Sequence, residues 1–168
     1  MTFEARIARL FAMDEATWAR HANPWSVWTR FAALPVLLAA IWSHAVLGWG
    51  ALFPIAAVLI WIWVNPRAFG EPRSTDSWAA RATFGERLWL DRKRLVIPRR
   101  HRRLPPILAA LGGIGFLLAL GGAVALTFWP MLAGMILCAL AKLWFCDRMV
   151  WLYEDMAAGD ARLREWVS

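Results

Sequence analysis

Charged residues are missing from two long parts of this 168-residue sequence, 31–64 and 105–141, which contain no Asp, Glu, Lys or Arg. A helix needs about 20 mostly apolar residues to cross the hydrocarbon core of a bilayer. The first tract is therefore long enough for two short membrane spans. The second stays mostly apolar to residue 151 and is long enough for two full spans. Such tracts exclude an ordinary soluble domain.

Cysteine and histidine are also scarce, and this removes several classes of site. Cys138 and Cys146 lie eight residues apart, about 12 Å on one helix, which is too far for a disulfide bond. The three histidines are scattered, so no metal site is predicted. A Ser-His-Asp set and a phosphate-binding glycine loop are missing too, and no cofactor is predicted. A haem or pigment bound through His44 stays open as an alternative.

Basic and aromatic residues are abundant, and the basic ones are unevenly placed. The chain has 13 Trp and a net charge of +7, and 11 of its 19 Lys and Arg lie between Asn65 and Leu104. Cytoplasmic loops of membrane proteins are enriched in Lys and Arg. We therefore predict a multi-pass membrane protein with this segment and both termini in the cytoplasm.

The predicted fold is all-α: an integral membrane four-helix bundle of two transmembrane hairpins, with cytoplasmic interfacial amphipathic helices. The whole chain, 1–168, forms one domain. Its predicted parts are an interfacial N-terminal region (1–23), the first hairpin (24–64), a basic cytoplasmic segment (65–104), the second hairpin (105–153) and a cytoplasmic tail (154–168).

Local signals predict where the helices begin and end. Phe3, Ile7, Leu10 and Phe11 have the spacing of an amphipathic surface helix, and Asp14 can cap a second short helix. Asn23-Pro24 predicts the start of the first span, which should run to about Leu47 before a turn at Gly48-Trp49-Gly50.

The remaining spans and the interfacial helix follow from similar signals. The second span should cover about 51–64, which is only about 20 Å of apolar helix, so it needs local thinning of the bilayer or an extension past Asn65-Pro66. An interfacial helix capped by Ser74, Thr75 or Asp76 should run to about Arg94. Small residues spaced along the third span predict close helix packing. The fourth span should cover about 131–153.

A group of polar residues should meet at the cytoplasmic rim, because the topology brings three segments to one depth. One interpretation is a polar pocket in which His21 or Glu86 acts as acid or base and arginines bind phosphate. The other is helix capping, ion pairs and snorkelling arginines, and no spacing matches a known catalytic pattern. The candidates are His21, Asn23, Ser26, Arg30, Asn65, Arg67, Glu86 and Arg87, with Glu71 and Arg81 nearby.

Four further positions within the spans also qualify as candidates. Cys138, Lys142 and Cys146 follow one another at four-residue spacing in the last span, after Gly134. A lysine inside a span is a functional candidate, although Lys142 could also snorkel or pair with Asp147 or Glu86. His44 is most simply a hydrogen-bonded histidine.

The basic run should contact anionic lipid headgroups, at about 1 kcal/mol per basic residue. No aromatic side chains interleave its arginines, so nucleic acid is not a predicted partner. The residues are Arg92, Lys93, Arg94, Arg99, Arg100, Arg102 and Arg103.

Three short motifs resemble an uncharacterised family of small prokaryotic integral membrane proteins, a domain of unknown function, over roughly residues 14–155. The resemblance supports the membrane bundle and implies a location in the prokaryotic cytoplasmic (inner) membrane, and it implies no activity. The motifs are Trp18-x-x-His21-x-Asn23-Pro24-x-Ser26-x-x-Thr29-Arg30, Asn65-Pro66-Arg67-x-Phe69 and Gly85-Glu86-Arg87.

The sequence favours a non-enzymatic accessory, assembly or scaffold subunit that packs with lipids and with a larger membrane complex or further copies of itself. One alternative is a cytoplasmic-face enzyme that modifies a lipid or small molecule. A second is a small transporter or channel that uses Lys142. The enzyme alternative would use His21, Asn23, Arg30, Asn65, Glu86 and Arg87.

Overall fold

The computed structural model describes residues 15–72 and 74–166, and the regular structure in these ranges is helical. The predicted surface helix with Phe3, Ile7, Leu10 and Phe11, and the proposed cap Asp14, lie outside the described residues. The helices are α1 (Glu15–His21), α2 (Pro24–Trp42), α3 (His44–Leu47), α4 (Leu52–Ala68), α5 (Trp78–Leu90), α6 (Leu104–Val124), α7 (Phe128–Gly159) and α8 (Ala161–Arg164), with 3₁₀ turns at Gly48–Ala51 and Arg99–His101.

Three helical segments are long and apolar enough to cross a membrane: Pro24–Ala68, Arg99–Val124 and Phe128–Gly159. The all-α class and the membrane-length helices are therefore confirmed, while the count of four crossings stays a prediction. The first segment reverses direction, because Ser26 Oγ lies 3.0 Å from Asn65 Oδ1 although 39 residues separate them. A straight helix would place these residues about 58 Å apart. The reversal occupies the predicted turn, where Gly48 has a φ of +52°.

The beginning of α2 follows the sequence prediction, and its end does not. Asn23 Oδ1 accepts a hydrogen bond from Trp25 N at 3.0 Å, and Pro24 is the first helical residue. The helix ends at Trp42 rather than near Leu47. Beyond it, Ser43 Oγ donates to Ala40 O at 2.7 Å and His44 Nδ1 bonds to Ile41 O at 2.7 Å. Such local side-chain bonds compete with the helical pattern for backbone carbonyls.

Two other helices extend beyond their predicted spans. Helix α4 continues past Val64 to Ala68, as in one of the two predicted alternatives, and it includes the buried Asn65 and Pro66. Helix α7 covers 32 residues instead of the predicted 131–153, because its charged final turns remain helical.

The middle helix is shorter than predicted and has a different cap. Ser77, not Ser74, Thr75 or Asp76, caps α5 by accepting a bond from Ala80 N at 3.1 Å. The helix ends at Leu90, and Arg92 beyond it donates to Trp89 O.

Glycines hold three helices at short distances from one another. A Cβ atom on Gly115 would lie 2.6 Å from the Cys138 backbone nitrogen, so α6 and α7 meet nearly backbone to backbone. A Cβ on Gly85 would overlap the Met149 carbonyl group, which brings α5 equally close to α7. These contacts place Glu86, the next residue of α5, beside the side chain of Lys142.

Candidate functional site

Helices α1, α2, α5 and α7 surround a cavity of about 260 Å³ that combines charged and apolar side chains. Five of the residues singled out from the sequence line it, and they come from the rim group and from the last span alike. The lining residues are His21, Val27, Arg30, Phe31, Ala82, Thr83, Glu86, Lys142 and Cys146. We call this cavity the polar pocket.

A continuous chain of hydrogen bonds between side chains begins at Arg30 and His21 in the lining of the polar pocket and continues away from it. Arg30 Nη1 lies 2.8 Å from His21 Nε2, and His21 Nδ1 lies 2.9 Å from Ser26 Oγ. Ser26 Oγ donates to Asn65 Oδ1 at 3.0 Å, and Asn65 Nδ2 donates to Thr29 Oγ1 at 2.7 Å. This network joins α1, α2 and α4.

The donors and acceptors of the network fix the protonation of His21. A guanidinium nitrogen only donates, so His21 Nε2 accepts from Arg30 and Nδ1 carries the proton that it donates to Ser26. Burial and the positive charge of Arg30 lower the pKa of His21 from 6.5 to about 3. The imidazole is therefore neutral at neutral pH, with both ring nitrogens engaged.

The opposite side of the polar pocket holds an ion pair between two helices. Lys142 Nζ lies 3.2 Å from Glu86 Oε1 and 3.4 Å from Oε2. Of the two partners predicted for Lys142, the structure selects Glu86. Burial opposes ionisation of Glu86, but the charges of Lys142 and Arg30 outweigh it and hold the pKa of this carboxyl below its usual value. Glu86 is therefore a carboxylate.

Five of the eight predicted rim candidates are not among the residues that line the polar pocket. Two of them, Ser26 and Asn65, belong to the hydrogen-bond network next to it. Asn23 caps α2 and donates through Nδ2 to Gly70 O at 3.0 Å. The guanidinium of Arg67 lies over the Trp63 ring, 4.7 Å from its centroid, and that of Arg87 lies over Trp166 at 4.8 Å.

The remaining rim residues also point elsewhere. Glu71 is exposed, and Arg81 bridges Asp76 and Glu154. The expected arginine cluster is thus reduced to Arg30, because an aromatic ring or a local carboxylate holds each of the other side chains.

The other intramembrane candidates do not form a second centre. His44 bonds within its own turn. Cys138 lies where α6 and α7 meet, as its four-residue spacing from Gly134 suggests, and Cys146 faces the polar pocket. Among the residues that the structure describes, no group of three or more His, Cys, Asp or Glu is placed to hold a metal ion. Haem or pigment binding through His44 stays a prediction.

Six of the seven residues of the basic run are exposed, and three of the seven contact other parts of the chain. The exposed residues are Lys93, Arg94, Arg99, Arg100, Arg102 and Arg103. Arg92 lies over Trp89, Arg102 Nε donates to Ile97 O at 2.8 Å, and Arg100 pairs with Asp155. Headgroup contact stays a prediction for the run, and its six exposed residues suit it best.

Sequence reasoning missed three residues that support these sites. Thr29 ends the hydrogen-bond network, and its position three residues after Ser26, on the same helix face, is a signal for it. Thr83 lines the polar pocket one turn before Glu86. The buried His101 pairs with Asp155, 54 residues away, and no local sequence pattern predicts that contact.

Comparison with known proteins gives a family and no further relative. No curated protein and no solved structure matches the chain. One family model, described as a family of unknown function (DUF6653), matches residues 2–167, which is nearly the whole chain. The match confirms the resemblance to an uncharacterised family, and the chain therefore belongs to DUF6653.

Proposed function

We propose that this protein is a ligand-binding membrane protein whose polar pocket lies at the headgroup boundary of the cytoplasmic membrane. The observation that carries the proposal is the convergence of Arg30, Glu86 and Lys142, from three helices, on one cavity. The Lys142 and Glu86 side chains are 45% and 31% exposed, and an ion pair with this exposure contributes about 0–1 kcal/mol to stability. The α6–α7 contact forms without such charges, so a packing role alone does not require them.

The proposed topology has four crossings, by α2, α4, α6 and α7. The reversal at Gly48–Ala51 and the connection from α6 to α7 carry no charge, whereas Lys93, Arg94 and Arg99 are exposed between α5 and α6. The positive-inside rule then favours a cytoplasmic position for the basic segment and both termini. The exposed basic side chains would contact anionic headgroups.

Single-cysteine labelling in intact cells tests this topology. A cysteine at Gly48 or Thr127, in a chain lacking Cys138 and Cys146, should react with a membrane-impermeant maleimide from outside. A cysteine at Arg94 should react only after the membrane is opened. If the Gly48 site is reached only from inside, the headgroup placement of the polar pocket is wrong.

The hydrogen bonds favour binding over acid–base catalysis. A general base needs an accessible lone pair and a pKa near the working pH. His21 offers neither, because Arg30 occupies Nε2 and the pKa of the ring is about 3. The enzyme alternative therefore loses its histidine, although the carboxylate of Glu86 still faces the cavity. A transporter would need a passage through the membrane beyond the Lys142–Glu86 pair. The scaffold function stays a prediction.

Co-purification tests the binding function. The full chain, extracted in a mild detergent from membranes of its own organism, should carry a small molecule or lipid that mass spectrometry identifies. Arg30→Gln and Lys142→Gln should lose this species. Arg67→Gln and Arg87→Gln, which remove guanidinium groups that lie over tryptophans outside the pocket, are matched controls and should retain it. If folded pocket variants and controls carry the same species in the same amounts, the proposed function fails and the scaffold function is favoured.

A further inference from the structure

Lys142 and Glu86 form a loose ion pair in the lining of the polar pocket. Their side chains are 45% and 31% exposed, and both line the cavity. Lys142 Nζ lies 3.2 and 3.4 Å from the two carboxylate oxygens of Glu86, whereas charge-assisted bonds between such groups are about 2.7–2.9 Å long. An exposed pair of this kind contributes little to stability. A ligand can therefore replace part of the pairing at a small cost.

Both members of the pair keep hydrogen-bonding capacity for a ligand. An ammonium group has three N–H donors, and a carboxylate has about four acceptor sites. Within the part of the chain that the structure describes, the two side chains hydrogen-bond only to each other. The Phe145 ring lies beside the ammonium group, 4.8 Å from Lys142 Nζ, and accepts no full hydrogen bond from it. Lys142 therefore keeps a donor, and Glu86 keeps acceptor sites, for a further partner.

The other polar groups of the lining are already engaged with the protein. His21 uses both ring nitrogens, one of them for Arg30. Thr83 Oγ1 donates at 3.0 Å to a backbone carbonyl of its own helix. A charged donor and a charged acceptor with remaining capacity thus lie side by side in the cavity, on Lys142 and Glu86.

Resting on the binding function proposed above, we infer that the polar pocket binds a zwitterion, whose oxyanion accepts from Lys142 and whose ammonium group donates to Glu86. A simple anion is repelled by the carboxylate of Glu86, and a simple cation by the ammonium of Lys142. A zwitterion gives each of the two charges a partner and leaves the net charge of the cavity unchanged.

The size and the apolar side of the cavity narrow this ligand class. Val27 and Phe31 give the cavity an apolar side. Its volume of about 260 Å³ is below the roughly 300–1,000 Å³ of pockets that enclose whole drug-sized ligands, so it suits a headgroup rather than a whole lipid. A phospholipid headgroup with a primary ammonium group and a small soluble zwitterion share this chemistry.

Binding measurements on the delipidated full chain in a neutral detergent test the inference. The probes are short-chain phosphatidylethanolamine, phosphatidylcholine and phosphatidylglycerol, and soluble glycerophosphoethanolamine. The first two lipids are both zwitterions with a phosphodiester, but only phosphatidylethanolamine has N–H donors for Glu86. We expect it to bind about tenfold more tightly than either other lipid. If the native chain binds phosphatidylcholine or phosphatidylglycerol as tightly, the inference is wrong.

Two variants separate the roles of the pair. Glu86→Gln should weaken phosphatidylethanolamine binding about tenfold, and it should strengthen phosphatidylglycerol binding because it removes a like charge. Lys142→Gln should weaken the binding of all three lipids, since each contains a phosphate. If Glu86→Gln also weakens all three lipids equally, the carboxylate is structural and the inference is wrong.

Lys142→Arg and Arg67→Gln are the controls. Lys142→Arg keeps the cation, so it should retain the preference for phosphatidylethanolamine, and it serves if Lys142→Gln does not fold. Arg67→Gln changes a residue outside the polar pocket and should bind as the native chain does. Loss of the preference in Arg67→Gln would place the selectivity outside the pocket and contradict the inference.

The probes also separate the ligand source and the two levels of the proposal. Tighter binding of phosphatidylethanolamine than of glycerophosphoethanolamine supports a lipid headgroup, whereas equal binding supports a soluble zwitterion. If neither of them binds better than phosphatidylcholine, the inferred ligand class is wrong. The proposed function then still stands if a different co-purified species is lost from the pocket variants alone.

Discussion

The pairs α6–α7 and α2–α4 are held together by different interactions. Gly115 and Gly134 bring α6 and α7 nearly to backbone contact along their length. Helices α2 and α4 are bonded at one end through Ser26, Asn65 and Thr29. Farther along they enclose an apolar cavity of about 400 Å³, lined by Thr29, Ala32, Ala33, Val36, Ala57, Val58 and Trp61.

The two helix pairs therefore have different structural roles. Close glycine packing needs no polar groups and makes α7 a rigid support for Lys142 and Cys146. The α2–α4 pair relies on directional bonds at the end where Arg30 faces the polar pocket. Damage to the first pair should therefore unfold the protein, whereas damage to the second should loosen the pocket.

The largest expected effect comes from Gly115→Val. A Cβ atom there would lie 2.6 Å from the backbone nitrogen of Cys138, so α6 and α7 must separate. Overpacking of this kind costs about 3 kcal/mol, which corresponds to a drop of about 10 °C in melting temperature for a protein of this size. Thermal unfolding of the detergent-solubilised protein, followed by circular dichroism, measures it.

Gly113→Val is the matched control, in the same helix and two residues away. A Cβ atom on Gly113 meets nothing within 4 Å, so this variant should melt within about 2 °C of the native protein. Equal destabilisation by the two variants would show that helix propensity, rather than interhelical contact, explains the role of these glycines.

The next largest effect is expected where α2 meets α4. Asn65 is fully buried, and Asn65→Ala leaves Ser26 Oγ without its acceptor and Thr29 Oγ1 without its donor. Unsatisfied buried groups cost about 1–3 kcal/mol, so the free energy of unfolding should fall by that amount. Ser26→Ala on the Asn65→Ala background should cost less than Ser26→Ala alone. Additive losses in this double-mutant cycle would contradict the network.

A pH-dependent effect should distinguish His21 from the glycine contacts. The folded protein keeps His21 neutral with a pKa of about 3, while the unfolded chain binds a proton near pH 6.5. The unfolded state therefore binds more protons between these values, and stability falls as pH drops through this window. The loss should reach about 2 kcal/mol at pH 5. His21→Gln should remove this dependence above pH 4.5, and Gly115→Val should not.

If His21→Gln melts with the same pH dependence as the native chain between pH 7 and 5, the ring is not held neutral. Titration of Glu86 does not contribute to the change in stability between pH 7 and 5. The pKa of its carboxyl is held below its usual value, so its contribution is complete above pH 4.5 and is lost only at lower pH.

The sequence predicted the apolar helices and several pocket residues, because those signals are local. Uncharged tracts mark the spans, and Asn23-Pro24 marks a helix start. Lys142 and Glu86 were singled out separately, as an intramembrane lysine and a rim carboxylate. Glu86, 56 residues away, is one of two partners that the sequence predicts for Lys142. The close approach of α5 to α7 in the folded protein selects it.

The sequence did not reveal which basic residues face the pocket. Arg30, Arg67 and Arg87 all lie in predicted rim motifs, yet Trp63 and Trp166 hold the latter two elsewhere. A chain with 13 Trp offers an aromatic face to many arginines, and only the folded arrangement shows which pairs form. The predicted ends of α2 and α5 were also wrong. The helices end earlier, at Trp42 and Leu90, because local hydrogen bonds there compete with the helical pattern.

The smallest expected effect separates the two bonds of Asn23. Its Oδ1 caps α2 through Trp25 N, and its Nδ2 donates to Gly70 O beyond the end of α4. Asn23→Asp keeps the cap and loses the second bond, whereas Asn23→Ala loses both. Loss of a cap costs about 1 kcal/mol, and the bond between the two segments is exposed and should add less. Ser77→Ala, which removes only the cap of α5, is the reference. If Asn23→Asp is destabilised as much as Asn23→Ala, the bond to Gly70 dominates, and the polar attachment of α2 to α4 extends one turn beyond Asn65.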